Sequence, residues 1–411
     1  MPTAFYANAL YDPVTAETTR PAAVLVDGGR VIAAGRRDQV HVPADAVQVD
    51  ADGLTLLPGM IDCHVHLCFR GDGIVQAEQL AAPPSRTLLN AVPACRRTIE
   101  AGFTTVRDAG GTPAAVRLAV ERGHFPGPRM VLAIQILSQT GGHNDHRFPC
   151  GVDLVWNPVP DLPGGVVDGV EPMRQRVREL IRSGADWIKL CTSGGVLSPG
   201  DSPHHATFTV PEIQAAVHEA ATQGRRVMAH AQAAAGIKNA LRAGVSTIEH
   251  GIWIDDEALD LFGRGDHALV PTLIAPVWAA RHAEAGRMPA FAAAKGRLLA
   301  GDHRTSIRRA VDAGVPLAYG TDSGVGPHGT NGEELLVLQE LGLPPADCIR
   351  SATTVAARVL GLEGHAGTLA EGAFGDLIGV PGDPLEDLAL LARPETVRLV
   401  AKGGEVVKAP A

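Results

Sequence analysis

The sequence predicts an α/β fold: a (β/α)8 TIM barrel joined to a small β-sandwich domain formed by both chain ends. Three observations carry this. Apolar strand-like segments recur between residues 59 and 324, with helical segments between most of them. Residues 1–58 and 367–411 have a different rhythm, of short strands and glycine turns. No GxGxxG motif follows an early strand, so the rival fold, a doubly wound nucleotide-binding sheet, loses its main support.

The elements follow in order. Residues 1–58 include AAVLVDGGRVIAAG and AVQVDADGLTLLPG, whose Gly-Gly and Asp-Gly pairs predict hairpin turns. Residues 59–366 hold the barrel, with strands expected in GMIDCHVHL, FTTVRDAG, RMVLAIQILS, DWIKLC, RRVMAHA, STIEHG, HALVPTL and VPLAYGTDSG. Helical segments such as SRTLLNAVPACRRTIEAG and VPEIQAAVHEAATQG close on glycine, which readily takes the left-handed conformation that ends a helix. Residues 367–411 return to strands in GTLAEGAFGDLIGVPGDP and TVRLVAKGGEVVK and complete the end domain.

Composition narrows the function. Of 411 residues 45% are hydrophobic, enough for a sizeable core, but aromatics are only 4%, so Ala, Val and Leu do most of the packing. The net charge is −9 with no basic cluster, which argues against a nucleic-acid surface. Six scattered cysteines form no CxxC pair and fit a reducing compartment. The stretch MPTAFYANALYDP has no basic and no apolar signal region, so no secretory signal is expected, and the longest apolar run, 268–280, is too short to span a bilayer and holds two prolines. A soluble cytoplasmic protein with a small-molecule partner and no membrane partner is expected.

The stretch DWIKLC sets the functional question. Lys189 stands between Trp187, Ile188, Leu190 and Cys191, where a buried ammonium is costly unless it is paired or neutral. The chain otherwise prefers arginine; its only other lysines are 238, 295, 402 and 408. Taken alone, Lys189 reads equally well as a strand-end lysine whose head reaches water. Its company decides. In a (β/α)8 barrel, function collects where strands end. Strand one ends in His64-Val65-His66, whose period-two spacing puts both imidazoles on one side. Strands five and six end at His230 and His250, and strand eight at Asp322. Any one of these would read as a hydrogen-bonded structural residue. Together, in the order HxH, K, H, H, D, they point to metal chemistry. Neutral imidazole and carboxylate suit zinc and similar divalent ions. Two such ions need a bridging anion, and a neutral lysine amine can supply one by taking up CO2 as a carbamate. Arginine could not.

These residues resemble the amidohydrolase superfamily of metal-dependent hydrolases over nearly the whole chain, through LPGMIDCHVHL, WIKLCTSGG, VMAHA, TIEHG and YGTDSG in order. SQTGGHND (138–145) and TSGGVLSPGDSPHHATF (192–208) resemble the imidazolonepropionase-related branch that includes zinc Xaa-Pro dipeptidases and ochratoxin-type amidases. The resemblance implies two divalent ions, zinc being the expected metal, on a chain that assembles as a homo-oligomer. It implies that His64, His66 and Asp322 hold the more buried ion, that His230 and His250 hold the other, and that carboxylated Lys189 and a hydroxide bridge them. Asp322 would carry the proton from the attacking hydroxide to the leaving nitrogen of an amide, in a peptide-like or N-acyl amino acid substrate.

Further residues are expected around this centre. His143 would contact the carbonyl or oxyanion, unless it only bonds loop backbone. Arg107 would bind a substrate carboxylate or, equally, pair with Asp108 and brace the rim. Gln232 stands where relatives often carry Tyr or His, which opens the alternative of a urea, carbamate or cyclic amide substrate, as in imidazolonepropionase. Asp145, His146 and Arg147 would shape specificity, and His204 and His205 would lie on the rim or a lid. Asp62 would orient a loop or neighbouring side chain. Glu249 would face the other side of its strand and anchor it in the barrel wall.

Overall fold

The structure, a computed structural model, describes all residues except 74–77, 79–81, 84, 146, 148–160 and 411. The two chain ends meet in one sheet. Its N-terminal strands are β1 (Thr3–Asp12), β2 (Glu17–Thr19), β3 (Ala22–Asp27), β4 (Arg30–Arg36) and β5 (Val47–Pro58). Its C-terminal strands are β14 (Leu377–Pro381), β15 (Leu399–Lys402) and β16 (Glu405–Lys408). The strand order is β16-β15-β14-β5-β1-β3-β4, with β2 on β1. The seam between the ends is antiparallel and pairs Leu377 with Pro58 and Pro381 with Leu54. Phe5, Val24 and Leu56 from one end pack with Leu377 and Leu399 from the other in an apolar cluster of their own.

Both Gly-Gly pairs turn as the sequence predicts. Gly28 and Gly29 have φ of 55° and 79°, and Gly403 and Gly404 have 59° and 80°, the left-handed values that match the twist of a two-residue hairpin. Asp52-Gly53 does not turn. β5 runs through it, parallel to β1, and the register jumps from Ala7–Ala51 to Ala9–Thr55. Gly53, at φ 77°, absorbs the extra residues as a bulge. The same dipeptide suits a turn or a bulge, and only the partner strand distinguishes them.

The middle of the chain forms two parallel sheets. One holds β6 (Met60–Val65), β7 (Phe103–Asp108) and β8 (Arg129–Leu132). The other holds β9 (Ile136–Leu137), β10 (Trp187–Cys191), β11 (Arg226–Ala231), β12 (Thr247–His250) and β13 (Ala268–Val270). The third expected strand, 129–138, is broken: Ile134 has φ 67°, so β8 pairs with β7 while β9 pairs with β10. The eighth segment is not a regular strand. Single bridges, Leu269–Leu317 and Val65–Ser323, join it to β13 and β6, and the Asp322 amide donates to the His64 carbonyl at 2.7 Å.

β6, β7 and β10 are buried along their whole length, as strands covered on both faces must be. The helices supply the outer cover. Helix Val170–Arg182 buries Met173, Val177 and Leu180, one stripe at helical spacing. Helix Val210–Ala221 opens on a Thr209–Glu212 capping box, and helix Ala234–Ala243 ends on Gly244 at φ 88°. Cys63, Cys68, Cys95, Cys191 and Cys348 are free and buried. Among the described residues no helix is long and apolar enough to cross a membrane.

Candidate metal centre

The C-terminal ends of the parallel strands surround a cavity of about 560 Å³. His64, His66, Lys189, His230, His250, Asp322, His143 and Gln232 all line it, so eight of the nine residues expected to bind metal or contact substrate converge. Ligand-type atoms of His64, His250 and Asp322 lie within 4.8 Å of one another. Asp322 Oδ1 is 3.3 Å from His66 Nε2 and 3.6 Å from His64 Nε2. The His230 ring packs edge-on against His250 with centroids 4.6 Å apart. Lys189 Nζ is 3.4 Å from His64 Nε2, and the residue is only 2% exposed, so its head does not reach water.

The protonation states suit cation binding. Burial, with help from the Lys189 charge, lowers the His64 pKa to about 4. Burial likewise holds His230 and His250 well below the usual range. These imidazoles are therefore neutral with lone pairs available at neutral pH. Burial also lowers Lys189, toward the neutral amine. Burial works against a charge on Asp322, but the His66 hydrogen bond outweighs it and keeps the carboxyl ionised. Neutral imidazoles from His64, His230 and His250 beside the Asp322 carboxylate are donors that a borderline divalent ion prefers, so these residues fit such an ion.

A buried layer beneath fixes these side chains. Glu249 accepts from His64 Nδ1 at 2.6 Å and from Arg107 at 2.8 Å. Burial opposes its charge, but Arg107 and His64 hold its carboxyl at about 2. The expectation that Glu249 points to the other side of its strand is therefore corrected. His250 has φ 74°, so the alternation of the strand breaks there and both Glu249 and His250 reach the His64 ring. His66 Nδ1 donates to the Gly110 carbonyl at 2.8 Å, and His250 Nδ1 lies 2.7 Å from Thr272 Oγ1. Contacts of this kind orient ligand imidazoles.

Arg107 does not line the cavity. It is fully buried, donating to the Cys63 carbonyl, Thr247 and Glu249, with its guanidinium 4.5 Å from the Trp187 ring centre. Its fork is filled from within, so it braces the strands and has no free face for a substrate carboxylate; its acidic partner is Glu249, not Asp108. Asp62 accepts from the Thr321 hydroxyl at 2.6 Å and from Asn331 at 2.8 Å, tying down the segment that carries Asp322. Gln232 is 6% exposed, and its Oε1 has no hydrogen-bond partner among the described residues. Asp145 accepts from the Gly141 and Arg147 amides of its own loop, and neither Asp145 nor Arg147 lines the cavity. His146 lies outside the described residues. His204 stacks on Trp253 at 4.1 Å.

Sequence reasoning missed the inward face of Glu249, the Thr272 contact and His303, whose Nε2 donates to the His250 carbonyl at 2.8 Å. One signal was available. An acid inside the apolar strand TIEH poses the same question as the lysine in DWIKLC.

Comparison with known proteins agrees with this geometry. The model of the Amidohydrolase family matches residues 55–407. Ochratoxinase from Aspergillus niger is 35% identical over 370 residues, which cover 86% of this chain and 76% of that protein. A crystal structure of a prolidase complexed with N-methylphosphonate-L-proline superposes with a TM-score of 0.92 at 34% identity, covering 100% of both chains. A crystal structure of a Xaa-Pro dipeptidase with methionine bound in its active site gives a TM-score of 0.88 at 32% identity, covering 99% of each chain.

Proposed function

The chain belongs to the amidohydrolase family and is a hydrolase acting on carbon–nitrogen bonds; on that premise we propose that it cleaves the amide of a peptide-like or N-acyl amino acid substrate with two divalent ions. We read the two parallel sheets as one (β/α)8 barrel over residues 59–366, and the shared sheet of 1–58 and 367–411 as a sandwich folded over its own apolar cluster. The observation that carries the functional reading is the convergence of His64, His250 and Asp322 beside a buried Lys189.

His64, His66 and Asp322 would hold one ion and His230 and His250 the other, with Lys189 as a carbamate shared between them. The ions, zinc in this reading, would supply an activated water and polarise the scissile carbonyl. Asp322 accepts the proton of the attacking water on a carboxylate oxygen and returns it to the leaving nitrogen. His143, at the cavity wall, is the contact for the scissile carbonyl in this reading. Glu249 keeps the His64 ring in place with Nδ1 protonated, so that Nε2 presents its lone pair.

Metal content per chain, measured on protein grown with added zinc and bicarbonate, tests this beside a screen of N-acyl amino acids and dipeptides. About two equivalents together with amide turnover are expected. About one equivalent, with cyclic amides cleaved instead, would replace the reading by the mononuclear imidazolonepropionase-like one. No bound metal and no turnover would overturn both. Gln232 favours a second reading, a urea or carbamate substrate, because its amide replaces the phenol or imidazole expected there. Exchanging it by Gln232→Tyr should move the substrate profile toward dipeptides; an unchanged profile removes that reading.

A further inference from the structure

Helix Ala290–Asp312 borders the cavity through Phe291, Gly296 and Leu299, and its Lys295 faces the loop that follows β10. Four oxygens of that loop converge on the Lys295 ammonium: the Gly195 carbonyl at 3.0 Å, those of Ser198 and Asp201 at 2.7 Å each, and Asp201 Oδ1 at 2.9 Å. Asp201 in turn accepts from the Gly195 amide at 2.8 Å and from the Ser198 hydroxyl. Its side chain is 5% exposed, so its charge depends on these partners.

The same loop clamps His143. Ser198 Oγ lies 2.7 Å from His143 Nδ1, and Asp201 Oδ2 lies 3.5 Å from it. Because the Ser198 proton is committed to Asp201, its oxygen accepts from His143. One face of the ring stacks on His230 at 4.3 Å. Against the ring stands Gly195, where an added Cβ would lie 2.2 Å from His143 Cε1. The ring is thus pinned between a candidate ligand and a loop whose shape is set around one ammonium.

We propose that Lys295 is a positioning residue: by gathering the 195–201 loop around its ammonium, it holds Ser198 and Asp201 where they aim the His143 ring into the cavity. Mutation of a partner that orients an active-site side chain in this way costs about 10–100-fold in activity. The inference rests on the proposed function only in giving His143 a role on the substrate carbonyl; the anchoring of the loop is independent of it.

The test compares wild type, Lys295→Met, Ser198→Ala, His143→Ala and the Lys295→Met/His143→Ala double variant, all metal-loaded. Lys295→Met should lower kcat about 10–100-fold with a smaller change in KM and unchanged metal content. Backbone hydrogen exchange over 195–201 should rise in this variant, while exchange in β10 and β11 stays as in wild type. Ser198→Ala should reproduce the kcat loss without loosening the loop, which keeps the test valid if Lys295→Met folds poorly. In the His143→Ala background, Lys295→Met should have little further effect on kcat, since the two act in one chain. Unchanged loop exchange, or kcat losses that multiply in the double variant, would overturn the proposal. If wild type cleaves no amide, the proposed function fails, whereas the exchange data still decide whether Lys295 holds the loop.

Discussion

The sheet made by the chain ends and the strand ends around the cavity fill their interiors in opposite ways. The sheet's cluster is apolar throughout, with Phe5, Val24, Leu56, Leu377 and Leu399 in contact. The strand ends bury Asp62, His64, Arg107, Asp108, Lys189, His230, Glu249 and His250 instead. Four of the five described non-glycine residues with positive φ, Ile134, His250, Thr272 and Asp322, also lie there. Each such residue costs on the order of 1–3 kcal/mol, and buried charges cost more unless paired. The first region gains stability from area removed from water. The second gives up stability to hold polar groups in one arrangement, which is the usual signature of a functional site.

Substitutions should separate the two regions. The largest effect is expected from Asp322→Asn, which keeps the shape but removes the proposed proton carrier. It should lower kcat by roughly 10²–10⁴-fold while the melting temperature of the metal-free chain holds or rises. A fall in stability that matches the fall in rate would break the distinction. Glu249→Ala should cross it: Arg107 loses its buried partner, so chemical denaturation should show a loss of about 3–5 kcal/mol, together with weaker metal binding as His64 loses its orienting acceptor. In the sheet, Leu56→Ala should cost about 2–5 kcal/mol in the same assay and leave kcat/KM at 25 °C unchanged.

The smallest effect concerns acid. Burial pushes the pKa of His328, which donates to the Phe69 carbonyl at 2.9 Å, down to about 4. The unfolded chain takes a proton on this residue near pH 6.5 and the folded chain refuses it until about 4. Its contribution is therefore full above 6.5 and is lost as pH falls from 6.5 to 4, with a slope of at most about 1.4 kcal/mol per pH unit. His328→Asn should flatten the melting-temperature profile in that window by one such group. Leu56→Ala should shift the profile down without changing its slope, because the sheet's apolar cluster contains no histidine.

The same contrast explains what could be read from the sequence. Hairpins at Gly28-Gly29 and Gly403-Gly404 follow from local backbone preference, and the metal-type residues follow from residue chemistry at strand ends, so both were visible. The break at Ile134 and the irregular eighth segment were not, since an apolar run does not reveal a single left-handed residue inside it. Arg107 and Glu249 could not be paired from sequence either: they lie 142 positions apart, and their meeting depends on how β7 and β12 face each other across the interior. Lys295 and Asp201 are 94 positions apart and come from a helix and a loop with no shared motif.

The seam between β5 and β14 has a consequence for synthesis. Pro58 waits for Leu377, and every residue of the intervening segment is made first. At ribosomal speeds that wait lasts roughly 15–60 s. Throughout it β5 presents one open edge, a template for any other extended chain nearby. The central strands and helices have time to assemble before the last strands emerge to close that edge. The C-terminal segment is thus the late partner that covers the open edge of β5.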